Sequence, residues 1–194
     1  MTPPHDIVDV LSFDIEDWFH MAGVEAVADP AQWPNRESLV ERYTEWIVQA
    51  VTEAGVRCTF FVLGWIAERY PHLVQLMVQH GHEVASHSYW HRMVYELSED
   101  EFREDMQQSI GVIENAGGTK VLGFRASSFS ITPGCEWAFD VLHNLGLKYD
   151  AGFSNTAQAW RISILERPTR VYRHAIMVGY TCGGTSSSHL CAST

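Results

Sequence analysis

Short apolar runs recur along the chain, and longer segments with a helical period separate them. Residues 7–13 are mostly apolar and β-branched, which is typical of a strand buried on both faces of a parallel sheet. Similar runs occupy residues 56–63, 83–86, 121–124 and 147–150. Regular alternation of strand and helix predicts a parallel α/β architecture. In a barrel of this class, reactive residues gather on the loops that follow the C-terminal ends of the strands.

The segments between the strands carry helix signals. Gly64 opens a helical segment that Pro71 interrupts. Ser98, with Glu101 three residues later, has the form of a capping box and predicts the start of another helix. In residues 37–54 the apolar positions recur at steps of three and four, which predicts one buried stripe. Its members are Leu39, Tyr43, Trp46, Ile47, Ala50, Val51 and Ala54.

Acidic residues follow the first strand at once. The sequence S-F-D-I-E-D-W-F-H places Asp14, Glu16 and Asp17 at the end of an apolar strand. Carboxylates are costly there unless they bind a metal, pair with a cation or reach solvent. A helix N-cap is the alternative role. Residues 18–36 lack a clear period and predict a long connection, a length that often carries function.

Two histidines follow the third strand. In H-S-Y-W-H, His87 and His91 are four residues apart, so one turn could direct both imidazoles at one cation. Surface or capping histidines are the alternative, because the chain contains 10 histidines. Arg125 follows the fourth strand and Asp150 ends the fifth. The candidate residues therefore share one kind of position, the C-terminal end of a strand.

Composition narrows the class of protein. The 194 residues are 46% hydrophobic, enough for one domain with a sizeable core. A formal net charge of -11 without clustered Lys and Arg argues against a nucleic-acid partner. The sequence shows neither a secretory signal nor a transmembrane segment, so we predict a cytoplasmic location.

His80 and His82 flank Gly81 and are interpreted as solvated turn residues. The cysteines lack metal-binding spacing and are interpreted as reduced thiols: Cys58, Cys135, Cys182 and Cys191.

Taken in order, these motifs resemble those of the polysaccharide deacetylases, carbohydrate esterase family 4 with the NodB homology domain. The resemblance covers residues 7–155 and implies an α/β fold, a distorted (β/α)7 barrel that would be incomplete here. Residues 12–20 are similar to the branch found in exosortase-linked exopolysaccharide clusters, and to a nearby branch of cyclic imidases and peptidoglycan deacetylases. The matching motifs are the acidic group at 14–17, T-F-F-V-L-G at 59–64, H-S-Y-W-H at 87–91 and G-F-R-A at 123–126.

The resemblance implies a hydrolase that removes N-acetyl groups from a glycan with one divalent cation, usually zinc. His87 and His91 match its metal-binding imidazoles, and Asp14 matches its general base. Arg125 matches the arginine that pairs with that base, although a surface arginine is the alternative. A backbone N–H near Tyr149 or Asp150 would stabilise the oxyanion and help to bind the substrate.

The third metal ligand is left open by the sequence. Most members of the family have an aspartate directly after the base, where this chain has Ile15. Strand alternation puts Glu16 on the same side as Asp14 and favours Glu16, while Asp17 stays an alternative. Both residues are therefore candidate ligands. Two tryptophans next to the proposed ligands are candidates for stacking on a sugar, Trp18 and Trp90.

The chain departs from the family pattern towards its C-terminus. Ser127 stands where the family usually has proline, and the only late candidates for a general-acid histidine are His174 and His189. We therefore divide the chain into a deacetylase-like domain, residues 1–155, and an irregular tail, residues 156–194. Two other functions stay open, a hydrolase of small cyclic amides or imides and a carbohydrate-binding remnant without turnover.

Overall fold

The computed structural model describes residues 8–21, 29–152, 163–164 and 172–178. Seven strands form one sheet in the order β6-β5-β4-β3-β2-β1-β7. Five helices, α1 to α5, connect or flank the strands. The strands are β1 (Val8–Ile15), β2 (Thr59–Val62), β3 (Glu83–Ser86), β4 (Gly123–Phe124), β5 (Tyr149–Asp150), β6 (Ser163–Ile164) and β7 (Tyr172–Val178). The helices are α1 (Val40–Glu53), α2 (Gly64–Arg69), α3 (Pro71–Gln79), α4 (Glu99–Gly117) and α5 (Trp137–Asn144).

The sheet is parallel from β1 to β5, as the alternating pattern predicts. β7 adds to β1 in parallel, and β6 adds to β5 in the antiparallel direction. The sheet is curled and flanked by helices, which confirms the predicted α/β fold class. Among the described residues, β6 and β7 are its two edges. Both lie in the predicted tail, and the boundary at residue 155 stays a prediction.

The two faces of β1 have different neighbours. Phe13 and Ile15 pack in a cluster with residues of the surrounding helices. Ser12 and Asp14 alternate with them and are also buried, on the inner side of the curled sheet. Phe61 of β2 lies on the same inner side, in a small cluster separate from the main core. The inner face of the sheet is therefore the surface on which polar side chains meet.

Several helix predictions agree with the structure. Ser98 and Glu101 form the predicted capping box at the start of α4. α2 ends before Tyr70, and Pro71 begins α3. No helix in the described part of the chain combines the length and apolar character that crossing a bilayer demands.

The predicted stripe on α1 is wrong in part. Val40, Thr44 and Val48 form its buried face, whereas Tyr43 is 40% exposed and Trp46 is 57% exposed. The sequence contains two overlapping apolar stripes on this helix, and packing against α3 selects the one that includes Thr44.

The interpretation of His82 as a solvated residue is also wrong. His82 is 7% exposed, its Nδ1 accepts from the N–H of Cys58 at 3.3 Å, and its Nε2 lies 3.1 Å from Thr52 Oγ1. The ring therefore links the end of α1 to the start of β2. Cys58 and Cys135 are free and buried, while Cys182 and Cys191 lie outside the described residues.

Candidate metal centre and active site

Three potential metal ligands converge at the C-terminal edge of the sheet. Glu16 directly follows β1, and His87 and His91 belong to the loop after β3. One ligand atom from each residue lies within 4.8 Å of the other two. Two imidazoles and a carboxylate are a common donor set of catalytic zinc sites. The group therefore has the composition and spacing to hold a divalent cation.

The polar atoms of this group are oriented as ligands. Glu16 Oε2 and His91 Nε2 are 2.8 Å apart, and their side chains are only 10% and 4% exposed. Apart from this contact, neither atom has a hydrogen-bond partner among the described residues. Buried polar atoms without partners are unfavourable. A cation between them would satisfy both, so the residues fit the metal that the family pattern implies.

Hydrogen bonding and burial also prepare these groups for a metal. His87 Nδ1 lies 2.8 Å from the carbonyl oxygen of Arg125. Because a carbonyl only accepts, Nδ1 carries the proton and Nε2 keeps its lone pair. Burial lowers the pKa of the His87 imidazole and so favours its neutral form. Burial raises the pKa of the Glu16 carboxyl, but the contact with His91 and the nearby imidazoles outweigh burial and bring that pKa to about 2.

Arg125 holds the candidate base, Asp14, in place. Its guanidinium is fully buried, with Nη1 donating to Asp14 Oδ1 and Nη2 donating to Ser12 Oγ at 2.8 Å. The ring of Phe61 covers the guanidinium, and its centroid lies 4.0 Å from the Cζ atom of Arg125. A buried carboxylate needs a partner of this kind. The predicted contact between Arg125 and Asp14 is present, and their catalytic roles stay predictions.

The loop that carries the two histidines has an unusual backbone. Ser88 and His91 have positive φ angles of 68° and 55°, which side chains other than glycine rarely adopt. Asp105 of α4 accepts from the N–H of Tyr89 at 2.7 Å and from that of Trp90 at 3.3 Å. Ser88 Oγ accepts from the N–H of His91 at 3.1 Å. The shape of the loop therefore depends on a buried carboxylate in a neighbouring helix.

Removing the Asp105 carboxylate should loosen this loop. Asp105→Ala leaves the N–H groups of Tyr89 and Trp90 without their acceptor, and each unsatisfied buried group costs about 1–3 kcal/mol. We expect the free energy of unfolding to fall by about 2–4 kcal/mol, and metal affinity to fall by about 10–100-fold. Asp105→Asn keeps one acceptor oxygen and should have the smaller effect. Chemical denaturation and metal titration measure both quantities, and equal effects of the two variants would contradict this role.

Asp17 has a structural role. Its carboxylate accepts from Ser38 Oγ at 2.5 Å, from the N–H of Leu39 at 3.1 Å and from that of Val40 at 3.4 Å. These contacts cap the start of α1, where orphan N–H groups favour an anion. Of the two candidate third ligands, the described residues bring only Glu16 to the histidines. The position of Asp17 therefore does not support its inclusion among the ligands.

Tyr149 lies away from the metal group. A Cβ at Gly123 would come within 2.1 Å of the Tyr149 ring, so the ring packs directly over that glycine. Burial and the nearby Glu83 raise the pKa of Tyr149, and Glu83 begins β3 whereas His87 follows its end. The N–H of Tyr149 donates to the carbonyl of Leu122. This position does not support contact between Tyr149 and a substrate.

The remaining substrate-binding candidates lie in different surroundings. Asp150 is buried at the end of β5 and accepts from the N–H of Gly152 at 3.0 Å. Trp90 is half-buried next to His91, and its ring lies 5.9 Å from that of Trp33. Trp18 donates from Nε1 to the Glu37 carbonyl at 3.1 Å, and the Arg36 guanidinium lies over its ring. Contact of these three candidates with a sugar stays a prediction.

Sequence reasoning missed two buried polar residues beside the site, Asp105 and His20. Asp105 had a signal, because it lies on the same face of α4 as Phe102 and Met106. A carboxylate on a buried helix face needs partners. His20 had no such signal, since its position depends on the fold of the connection after β1. Of the late histidines, His174 lies in β7 and pairs in register with Val10, and His189 lies outside the described residues.

Comparison with known proteins yields one family. The sequence profile described as polysaccharide deacetylase matches residues 32–149. A peptidoglycan-N-acetylglucosamine deacetylase of Bacillus cereus is 29% identical over 76 residues, covering 39% of this chain and 28% of that protein. A chitooligosaccharide deacetylase of Sinorhizobium fredii is 41% identical over 49 residues, covering 25% of this chain and 23% of that protein. The chain thus spans less than a third of either relative.

Solved structures share the fold at low sequence identity. A family 4 carbohydrate esterase from Streptomyces lividans has a TM-score of 0.56 at 23% identity, over 76% of this chain and 62% of that one. A Mycobacterium smegmatis protein provisionally described as a polysaccharide deacetylase reaches 0.67 at 18% identity, over 91% and 60%. A family 4 pseudoenzyme from Bacillus anthracis has 0.56 at 21% identity, over 75% and 42%. Because the family profile matches more than half of its residues, this chain belongs to the polysaccharide deacetylase family.

Proposed function

We propose that this protein is a metal-dependent hydrolase that removes N-acetyl groups from a glycan. The observation that carries the proposal is the convergence of Glu16, His87 and His91 beside Asp14. Asp14 and Glu16 are two residues apart near the end of β1, so alternation directs both to one face. The negative charges of Asp14 and Glu16 both act to raise the pKa of His87, so both carboxylates lie near its ring. A metal-assisted hydrolysis needs a base and a ligand group that are neighbours in this way.

In the proposed reaction, the residues of the site bind the cation, accept a proton or orient a neighbouring side chain. A cation held by Glu16, His87 and His91, for which zinc is the most suitable ion, would polarise the acetyl carbonyl and acidify the attacking water. Arg125 engages Asp14 Oδ1, so Oδ2 of Asp14 is the atom that would receive the proton of the water. The bond from His87 Nδ1 to the Arg125 carbonyl fixes the orientation of the ring. One arginine therefore orients both the base and a ligand.

The proposed substrate is a polysaccharide that contains N-acetylated sugars. Two relatives support this class, the peptidoglycan-N-acetylglucosamine deacetylase of Bacillus cereus and the chitooligosaccharide deacetylase of Sinorhizobium fredii. The resemblance of residues 12–20 to the exopolysaccharide-associated branch favours an exopolysaccharide or a peptidoglycan-like glycan within the class. Trp90, half-buried next to His91, is the aromatic surface closest in sequence to the ligands on which a sugar could stack.

Acetate release tests the proposal. The purified protein would be incubated with chitooligosaccharides, peptidoglycan fragments and an N-acetylated exopolysaccharide, and in parallel with small cyclic imides. We expect acetate from at least one glycan, loss of activity after treatment with a chelator, and recovery when Zn²⁺ is added, because the site residues need the cation to activate water.

Two outcomes would replace the proposal with another function. Ring opening of imides without acetate release from any glycan would establish the cyclic-amide hydrolase. Stoichiometric metal binding without either activity would establish a binding remnant; the Bacillus anthracis protein of the same fold is itself described as a pseudoenzyme.

A further inference from the structure

We propose that His20 supplies a fixed hydrogen-bond donor to an oxygen atom of the bound glycan, an inference that rests on the proposed function. His20 is 3% exposed and ends the short turn that follows Asp17. Its Nδ1 accepts from the N–H of Asp17 at 2.8 Å. Because a backbone N–H only donates, Nδ1 carries the lone pair and Nε2 carries the proton of the neutral ring. The turn thus fixes the tautomer.

The surroundings of the His20 ring favour its neutral form, and the ring lies beside the three candidate metal ligands. Burial lowers the pKa of His20 to about 3, although the negative charge of Glu16 opposes it, and His91 and His87 are the other electrostatic neighbours of the ring. His20 therefore lies beside the group that the three candidate ligands form. Its ring centroid lies 4.4 Å from that of Trp33 and 5.2 Å from that of Trp65.

The proton on Nε2 decides what His20 can do. Within the described residues, Nε2 has no hydrogen-bond partner, although it is buried. A protonated Nε2 has no lone pair for a cation, so His20 is unsuited to be a fourth ligand. It can only donate, and the carbonyl or hydroxyl oxygens of an N-acetylated sugar are suitable acceptors. A buried donor of this kind discriminates against ligands that leave it unpaired.

Two amide substitutions separate the two nitrogens of the ring. In His20→Asn, the side-chain oxygen can replace Nδ1 as acceptor for Asp17, but no donor reaches the position of Nε2. In His20→Gln, the longer side chain can place an N–H near that position. The variants would be compared by kcat and KM for acetate release, by calorimetric binding of a chitooligosaccharide, by zinc affinity and by thermal unfolding.

We expect His20→Asn to raise KM and weaken glycan binding by about tenfold, the usual worth of one hydrogen bond, with zinc affinity unchanged. His20→Gln should recover part of the loss. Unchanged glycan binding in His20→Asn would overturn the inference. So would a loss that follows zinc affinity or unfolding temperature, because His20 would then only support the aromatic cluster. If no variant releases acetate but the binding difference persists, the proposed function fails and the donor role stands.

Discussion

Replacing His91 with alanine should remove the metal and reduce acetate release by at least about a thousandfold. The substitution deletes the imidazole that faces Glu16 at 2.8 Å and leaves one imidazole and one carboxylate at the site. Polarisation by a cation lowers a hydrolytic barrier by several kcal/mol, and about 1.4 kcal/mol corresponds to a factor of ten. His87→Ala should have the same effect, because His87 belongs to the same group. Metal content after dialysis and acetate release measure the two losses.

Matched substitutions test which carboxylate belongs to the group. Glu16→Gln should lose the metal, since its pKa of about 2 makes it the ionised ligand. Asp17→Asn should keep the metal and lose about 1 kcal/mol of stability, the usual value of a helix cap. His143→Ala, at an exposed histidine of α5, controls for loss of any imidazole. Stoichiometric metal in His91→Ala, or loss of metal in Asp17→Asn alone, would contradict the assignment.

The places of β2 and β3 along the chain were predictable because buried strands read as short apolar runs. All four residues of β2 are buried, so the apolar run in the sequence marks it without a second signal. The face of α1 was not predictable. Val40, Thr44 and Val48 form one stripe and Tyr43 and Trp46 another, and only packing against the neighbouring helix decides between them.

The residues of the site also fall into two groups, those that sequence motifs identified and those whose contacts only the fold reveals. His87, His91 and Asp14 were identified from motifs, because their places after or within strands bring them to one edge of the sheet. Glu16 could be preferred to Asp17 only through strand alternation, which was uncertain where the strand ends. Capping of α1 by Asp17 is a contact over more than 20 residues of sequence. Local patterns carry no information about such contacts.

Removing Arg125 should reduce stability as well as activity. Arg125→Met leaves the Asp14 carboxylate buried without its guanidinium, and breaking a buried ion pair on one side costs about 3–5 kcal/mol. Acetate release should fall with it, because Asp14 loses the contact that orients it. Asp14→Asn should reduce acetate release by about 10²–10⁴-fold, the usual contribution of a general base. Chemical denaturation and steady-state kinetics measure the two effects separately.

The double variant Asp14→Asn with Arg125→Met distinguishes a structural pair from a catalytic one. With both charges removed, no unpaired charge stays buried, so the free energy of unfolding should recover much of what Arg125→Met loses. Acetate release should stay as low as in Asp14→Asn, because neither replacement can accept the proton of water. Recovery of stability without recovery of activity would assign the proton transfer to Asp14 and its orientation to Arg125. Recovery of both would show that another group is the base, and the pair would then serve only to fill the inner face of the sheet beside Phe61.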